Sequence, residues 1–256
     1  MNDEPNGRDN GAVLRLPPQP AGADLRAYVA LHLVAVPAVL AALAWFVQHG
    51  SLDMAIARLF VDPASQRFTW HDSVVLDVLG HQVARSFPFL VGALAIAAGM
   101  AGLSVRSLRP WTPILLTVGA SMLLGPIAVN MLKAMTTQHC PIALQSFGGI
   151  VDYVADQQGP FWARSAQSAG HCLPSGHAGG GYALLSLYFA GWAAGRPHWR
   201  WRGRAIGVGA GLLFSVVRIM QGAHFASATI WSAAIDWTVC AALFLPLLCR
   251  TKMRAG

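Results

Sequence analysis

Residues 110–132 read PWTPILLTVGASMLLGPIAVNML and contain no Asp, Glu, Lys or Arg, and Lys133 follows them directly. A helix of about 20 apolar residues crosses the hydrocarbon core of a bilayer, so this stretch is long enough to span a membrane. Three further windows also lack these four residue types, at 27–52, 86–105 and 165–195. Of the 256 residues, 55% are hydrophobic and only 11% are charged, whereas about 25% are charged in a typical soluble domain. The sequence therefore predicts a polytopic membrane protein and excludes a soluble enzyme or a disordered tail.

The basic residues indicate which side of each predicted span faces the cytoplasm. Most of the 18 Lys and Arg residues fall at every second membrane crossing: Arg8, Arg15, Arg26, Arg106, Arg109, Arg196, Arg200, Arg202, Arg204, Arg250, Lys252 and Arg254. Because Lys and Arg are enriched in cytoplasmic loops, these segments are predicted to lie inside. The net charge of +7 is therefore explained by the basic residues of the cytoplasmic segments, and we expect no nucleic-acid partner.

The charge pattern and the apolar windows together predict an all-α fold, a six-helix membrane bundle with both chain ends in the cytoplasm. A cytoplasmic tail at 1–26 is followed by a membrane domain at 27–250 and a second tail at 251–256. An amphipathic stretch at 54–60 is expected to lie on the membrane surface. The two long outward loops are 48–87 and 133–175, and the helices are predicted at 28–47, 88–105, 112–132, 176–195, 204–222 and 227–249.

Polar residues gather at the outward ends of these predicted helices. Lys133 ends the third helix, the sequence PSGH at 174–177 opens the fourth, and Arg218 and His224 flank the turn between the fifth and the sixth. Polar groups are costly in a membrane, so such a convergence predicts a functional site. A transporter is disfavoured, because its polar groups would gather near the middle of the bilayer.

The chemistry of these residues suits a phosphate group. A helix N-terminus offers unpaired amides to an anion, Gly176 allows close backbone approach, and Ser175 adds a hydroxyl donor. Lys133 and Arg218 supply positive charge. The two histidines in the cluster provide a nucleophile and a proton donor, so phosphoryl transfer is predicted to need neither a metal nor another cofactor.

The cysteines divide between two compartments. Cys140 and Cys172 both fall in the outward loop 133–175, whereas Cys240 and Cys249 fall in the last span. Disulfides persist outside a bacterial inner membrane, so a Cys140–Cys172 bridge is predicted, with two free thiols as the alternative.

Three motifs in this order resemble the type-2 phosphatidic acid phosphatase (PAP2) family, whose pattern is KxxxxxxRP, PSGH and SRxxxxxHxxxD. In this chain the motifs are Lys133 to Pro141, Pro174 to His177, and Ser215 to His224. The resemblance implies that His224 attacks phosphorus to form a phosphohistidine and that His177 protonates the leaving oxygen. It also implies that the phosphate oxygens are bound by Lys133, Ser175, Gly176 and Arg218.

Two positions differ from the family pattern. Cys140 stands where the family has a phosphate-binding arginine, and His139 and Arg164 are candidates to replace it. Ala228 stands where the family has the aspartate that orients the nucleophilic histidine, which leaves Ser227 as a possible orienting residue. A divergent active enzyme, a natural inactive relative and an engineered alanine all remain compatible with these differences.

The sequence and the resemblance together predict a lipid phosphatase or phosphotransferase at the outer face of a bacterial inner membrane. The expected partners are the bilayer and a lipid phosphate of the lipid A, undecaprenyl (pyro)phosphate or phosphatidylglycerol phosphate type; no protein partner is inferred. The alternative is a catalytically impaired member of the family that binds an anionic lipid headgroup.

Overall fold

The computed structural model describes residues 24–152 and 170–249. Of the predicted tail at 1–26, only residues 24–26 are therefore described. The predicted tail at 251–256 and Arg164 lie outside the described residues.

Helices make up most of the described chain. Tighter or wider turns interrupt three of them: π-helical turns occur in α1 and α3, and a 3₁₀ turn occurs in α5. The helices are α1 (Leu25–His49), α2 (Leu52–Arg58), α3 (residues 74–101), α4 (Thr112–Met135), α5 (residues 176–193), α6 (Pro197–Met220) and α7 (Ala226–Cys249).

A short antiparallel hairpin is the exception to the predicted all-α fold. It consists of β1 (Val61–Asp62) and β2 (Arg67–Phe68), with Val61 opposite Phe68. The segment after α4 forms two 3₁₀ turns, Pro141–Ala143 and Gln145–Phe147.

Four of the described helices are long and apolar enough to cross a membrane, and they identify the chain as a mostly helical membrane protein. These candidate spans are Leu25–His49, Arg109–Met135, Pro197–Met220 and Ala226–Leu248. The apolar part of α3, Ser86–Ala101, is shorter.

Two helices begin earlier than the apolar windows predict. The helix predicted to start at 88 begins at Val74 in α3. The helix predicted to start at 204 begins at Pro197 in α6. Ser73 caps α3, because its hydroxyl oxygen accepts a hydrogen bond from the Leu76 amide at 3.4 Å. Pro197 starts α6, and proline is well suited to the first turn of a helix. A search for uncharged windows misses such turns because they carry charged side chains.

Glycines bring α5 and α6 into close contact. A Cβ atom on Gly207 would lie 2.6 Å from the Leu185 nitrogen, and one on Gly211 would lie 2.1 Å from the Tyr182 ring. A larger residue at either position would force the two helices apart.

A second apolar core lies outside the long helices and packs beside the start of α7. Met54 and Ala57 of the amphipathic stretch 54–60 contribute to it, whereas Leu59 of the same stretch is 77% exposed. The location of this stretch on the membrane surface stays a prediction. This outer core contains Met54, Ala57, Phe68, Leu144, Phe147 and Phe225.

Candidate active site

The residues predicted to bind phosphate come from helix ends that meet at one end of the bundle. Lys133 lies in the last turn of α4, Arg218 lies in the last turn of α6, and Ser175 immediately precedes α5. The Ser175 amide donates a hydrogen bond to the carbonyl of Ala228 in α7 at 3.1 Å. This bond fixes the start of α5 against the first turns of α7.

His224 lies in the turn before α7, among positively charged or polar groups from the other helices. Lys133, Arg218 and His177 all lie close enough to act on the His224 imidazole electrostatically. The structure therefore brings together the two predicted catalytic histidines and the two predicted phosphate-binding cations.

A hydrogen bond to a backbone carbonyl determines which nitrogen of His224 is free to react. The imidazole is 3% exposed, and its Nδ1 lies 2.9 Å from the carbonyl oxygen of Cys172. Because a carbonyl oxygen can only accept, Nδ1 must carry the hydrogen, and Nε2 then has the free lone pair.

The surroundings of His224 also keep the imidazole neutral. Burial lowers the pKa of His224 to about 3, the nearby positive charges lower it further, and the hydrogen bond to Cys172 acts in the opposite direction. A neutral imidazole with an available Nε2 is the form that a nucleophile requires.

The Cys140–Cys172 disulfide tethers the residue whose carbonyl holds His224. The structure joins the two cysteines as the sequence predicts. Two neighbouring contacts hold the same strand of chain: the Cys172 amide donates to the Gln138 carbonyl at 2.8 Å, and the Thr136 hydroxyl donates to the Leu173 carbonyl. The Cys172 carbonyl is therefore fixed from both sides.

The start of α5 combines a capping serine with a glycine that lies close to the side chain of Asn130. The Ser175 hydroxyl oxygen accepts from the Ala178 amide at 3.4 Å, which leaves the hydroxyl hydrogen available to donate. The Ser232 hydroxyl donates to the Ser175 carbonyl at 2.8 Å. A Cβ atom on Gly176 would lie 3.2 Å from the side-chain oxygen of Asn130, so a larger residue would require that side chain to shift by a few tenths of an ångström.

Arg218 is held by Gln221, a residue that the sequence motifs do not mark. Nη1 of Arg218 donates to the side-chain oxygen of Gln221 at 2.8 Å, and the Gln221 carbonyl hydrogen bonds with Nδ1 of His71 at 3.0 Å. Nε of Arg218 is buried and has no hydrogen-bond partner among the described residues. The guanidinium group is thus positioned while one donor stays available for an anion.

The prediction that Ser227 orients His224 is wrong. The Ser227 hydroxyl and amide both donate to the carboxylate of Asp53, the amide at 2.9 Å. Asp53 is 1% exposed, and burial raises its pKa to about 6 although the hydrogen bonds from Ser227 oppose this. Asp53 in α2 caps the start of α7 from outside that helix.

A family comparison covers the part of the chain that contains these residues. The family model of the PAP2 superfamily matches residues 114–249. The chain belongs to the PAP2 superfamily. No curated protein and no solved structure matches it at a significant level. Membership in the PAP2 superfamily confirms the resemblance seen in the motifs and indicates a phosphatase acting on phosphate esters.

Two of the differences from the PAP2 pattern have a clear structural counterpart. At the position of the family arginine, Cys140 forms a disulfide. At the position of the family aspartate, Ala228 is 2% exposed, and the contact that orients His224 comes from the Cys172 carbonyl. Of the candidates to replace the arginine, Arg164 lies outside the described residues, and the His139 backbone packs against Gly170.

Three groups around the site were missed from the sequence. Asp53 is a single carboxylate within the apolar turn LDMAIA, which is the one signal that sequence reasoning could have used. Gln221 stands beside Gly222 without a recognisable motif, and a backbone carbonyl such as that of Cys172 has no signature in the sequence.

Proposed function

We propose that this PAP2 protein removes a phosphate group from a membrane lipid, with His224 as the nucleophile and no metal cofactor. The observation that carries this proposal is the hydrogen bond from Nδ1 of His224 to the Cys172 carbonyl. It supplies the orientation that the family obtains from a carboxylate, so the loss of that carboxylate at Ala228 does not remove the function.

The reaction proceeds in two displacements. In the first, Nε2 of His224 forms a bond to phosphorus while the bond from phosphorus to the lipid oxygen breaks, and His177 gives its proton to that oxygen. In the second, a water molecule attacks phosphorus and gives a proton to His177, the bond from phosphorus to nitrogen breaks, and inorganic phosphate leaves. Both histidines return to their starting states.

The cations and the helix end stabilise the negative charge on the phosphoryl oxygens. Lys133 contributes a compact positive charge, and Arg218 contributes its unpartnered Nε donor. Ser175 and Gly176 contribute a hydroxyl donor and close backbone approach at the start of α5. These interactions strengthen as charge develops on the transferring group, which is the condition for accelerating the reaction.

The position of the site at the ends of the long helices supports a lipid substrate. The site forms at the ends of α4, α6 and α7, which are all long enough to reach a membrane surface. In this proposal α3 and α5 also cross the membrane, giving six spans. The arginine-rich ends then face the cytoplasm, and the site opens to the outer face of a bacterial inner membrane.

Binding without catalysis is the second candidate function, because Cys140 replaces an arginine that the family uses to bind phosphate. The free Nε2 of His224 favours catalysis, since a protein that only binds headgroups has no use for a buried neutral imidazole that is oriented by a carbonyl.

A phosphate-release assay separates the two candidates. The purified full chain is given a panel of lipid phosphates in the presence of EDTA, beside the variants His224→Gln and His198→Gln. His198 is an exposed histidine at the opposite end of α6, so it serves as the matched control. We expect release by the native chain and by His198→Gln, and a loss of at least about 10³-fold in His224→Gln. Release that stops with EDTA, or that is equal in both variants, contradicts the proposal. Saturable binding without release supports the second candidate.

A further inference from the structure

A cluster of arginines and tryptophans occupies the end of the bundle opposite the active site. Arg200 precedes Arg218 by 18 positions in the same helix, α6. At a rise of 1.5 Å per residue, the two are separated by about 27 Å, close to the thickness of the hydrocarbon core. We call this region the arginine–tryptophan surface; its members are Arg196, Arg200, Arg204, Trp111, Trp199 and Trp201.

Aromatic rings hold the guanidinium groups of this surface in place. The Arg196 guanidinium lies 4.6 Å from the ring centre of Trp199 and 5.8 Å from that of Trp111. These two rings stack on each other with their centres 5.6 Å apart. The Arg204 guanidinium lies 4.2 Å from the Trp201 ring centre. Such stacking orients the cations without neutralising them.

Arg200 is fixed more firmly still, in the interior of the cluster. Its guanidinium lies 4.0 Å from the ring centre of Trp192, and one Nη donates a hydrogen bond to the Tyr188 hydroxyl. These two contacts fix the position of the Arg200 guanidinium group and therefore of its other N–H donors.

The positive charge of the surface has no counterpart in the described chain. Among residues 24–152 and 170–249, no carboxylate lies within ion-pairing distance of Arg196, Arg200 or Arg204. The Nε atoms of Arg196 and Arg200 are buried and have no hydrogen-bond partner in this part of the chain. The first turn of α6 also has no acidic residue and no side-chain cap. Partly buried guanidinium groups are costly unless an anion pairs with them.

We propose that the arginine–tryptophan surface binds the phosphate of an anionic phospholipid in the leaflet opposite the active site. The planar donor fork of arginine matches the oxygens of a phosphodiester. Trp199 is 44% exposed and Trp201 is 53% exposed, and tryptophan favours the boundary between headgroups and acyl chains. The occupant is therefore a lipid that packs its chains beside α6 while its headgroup contacts the arginines.

Lipid titration of the full chain in detergent tests this site without using the catalytic activity. The probe is phosphatidylglycerol, which replaces phosphatidylcholine at increasing mole fraction in mixed micelles of detergent and lipid while the melting temperature is recorded. We expect phosphatidylglycerol to raise the melting temperature, and Arg196→Gln/Arg200→Gln to weaken its apparent affinity at least about tenfold. Arg58→Gln/Arg67→Gln removes the same charge from exposed positions at the other end of the molecule and should change the affinity less than about twofold.

Two further variants separate a loss of binding from a loss of folding and from an effect at the active site. Arg196→Lys/Arg200→Lys retains the positive charge but loses the planar donor fork. Because the charge is kept, this pair should fold even where the glutamine pair does not. It should still weaken the binding of phosphatidylglycerol about threefold or more. Lys133→Gln should leave the binding unchanged, because it alters the active site. The proposal is overturned if phosphatidylglycerol acts no differently from phosphatidylcholine, if Lys133→Gln abolishes its effect, or if the arginine variants match the control pair.

Discussion

Breaking the Cys140–Cys172 disulfide should lower both the stability of the protein and its catalytic rate. The bridge closes a loop with a sequence separation of 32 residues, for which the chain-entropy model gives about 3.7 kcal/mol of stabilisation. The effect on rate has a different origin. The carbonyl that orients His224 belongs to Cys172, and without the bridge that strand of chain is held mainly by backbone contacts, such as the 2.8 Å hydrogen bond to Gln138.

The expected loss of rate lies between no effect and the complete loss of an orienting group. Removing an orienting carboxylate in a hydrolytic triad costs on the order of 10⁴ in rate, or about 5.5 kcal/mol. Because the Cys172 carbonyl is loosened but not removed, we expect kcat to fall roughly 10- to 100-fold. KM should change little, since Lys133 and Arg218 are untouched.

The assay compares phosphate release at saturating substrate with the melting temperature of the same samples. Cys140→Ser/Cys172→Ser and the native chain in dithiothreitol should behave alike, and both should differ from the oxidised native chain. Cys240 is a buried free cysteine in α7, so Cys240→Ser controls for a Cys-to-Ser change that leaves the bridge intact. When oxidised it should keep the native kcat, and on reduction it should lose rate and stability as the native chain does. An unchanged kcat in the double variant, at a temperature where it is folded, would refute the positioning role of the disulfide.

Substitutions at three more positions test the surroundings of the site. Ala228→Asp places a carboxylate at a buried position, although the Cys172 carbonyl already orients His224. Phosphate release should therefore not rise, and the melting temperature should fall. A tenfold gain in kcat would show instead that Ala228 limits the catalytic rate. Gln221→Leu removes the acceptor that holds Arg218 and should raise KM about three- to tenfold with a smaller change in kcat, whereas an unchanged KM would show that the arginine is positioned by other contacts. Asp53→Ala should destabilise the protein by about 1–2 kcal/mol through loss of the cap on α7, measured by thermal unfolding. Because burial raises the pKa of Asp53 in the folded protein to about 6, its protonated form favours folding, and stability should fall as the pH rises from about 4 through 6; Asp53→Asn should flatten this dependence.

The membrane character of the fold was predictable because it depends on long uncharged stretches of sequence. The window at 110–132 corresponds closely to α4, and the last predicted span at 227–249 corresponds to α7. Helix starts that carry charge were not predictable in the same way. The first turns of α6 contain Arg200, which stacks on Trp192 of α5. This tertiary interaction compensates for a charge that a hydropathy window counts as a break.

The candidate site was predictable to the extent that it consists of side chains in recognisable motifs. Lys133, His177, Arg218 and His224 could be found from their spacing and from the shared end of their helices. The Cys172 carbonyl could not, because every residue has one and only the folded chain brings this one to 2.9 Å from Nδ1 of His224. Ser227 was a reasonable prediction from helical spacing, but Asp53 from a distant segment binds its hydroxyl.

Trapping the phosphorylated intermediate shows whether His224 is the nucleophile. The full chain is mixed with a lipid carrying ³²P in its terminal phosphate, unfolded rapidly in alkali, digested, and mapped for labelled peptides. We expect an acid-labile label on the peptide that contains His224 in the native chain and in His198→Gln, and no label in His224→Gln. Label on a different residue, or rapid phosphate release from His224→Gln, would contradict this role of His224.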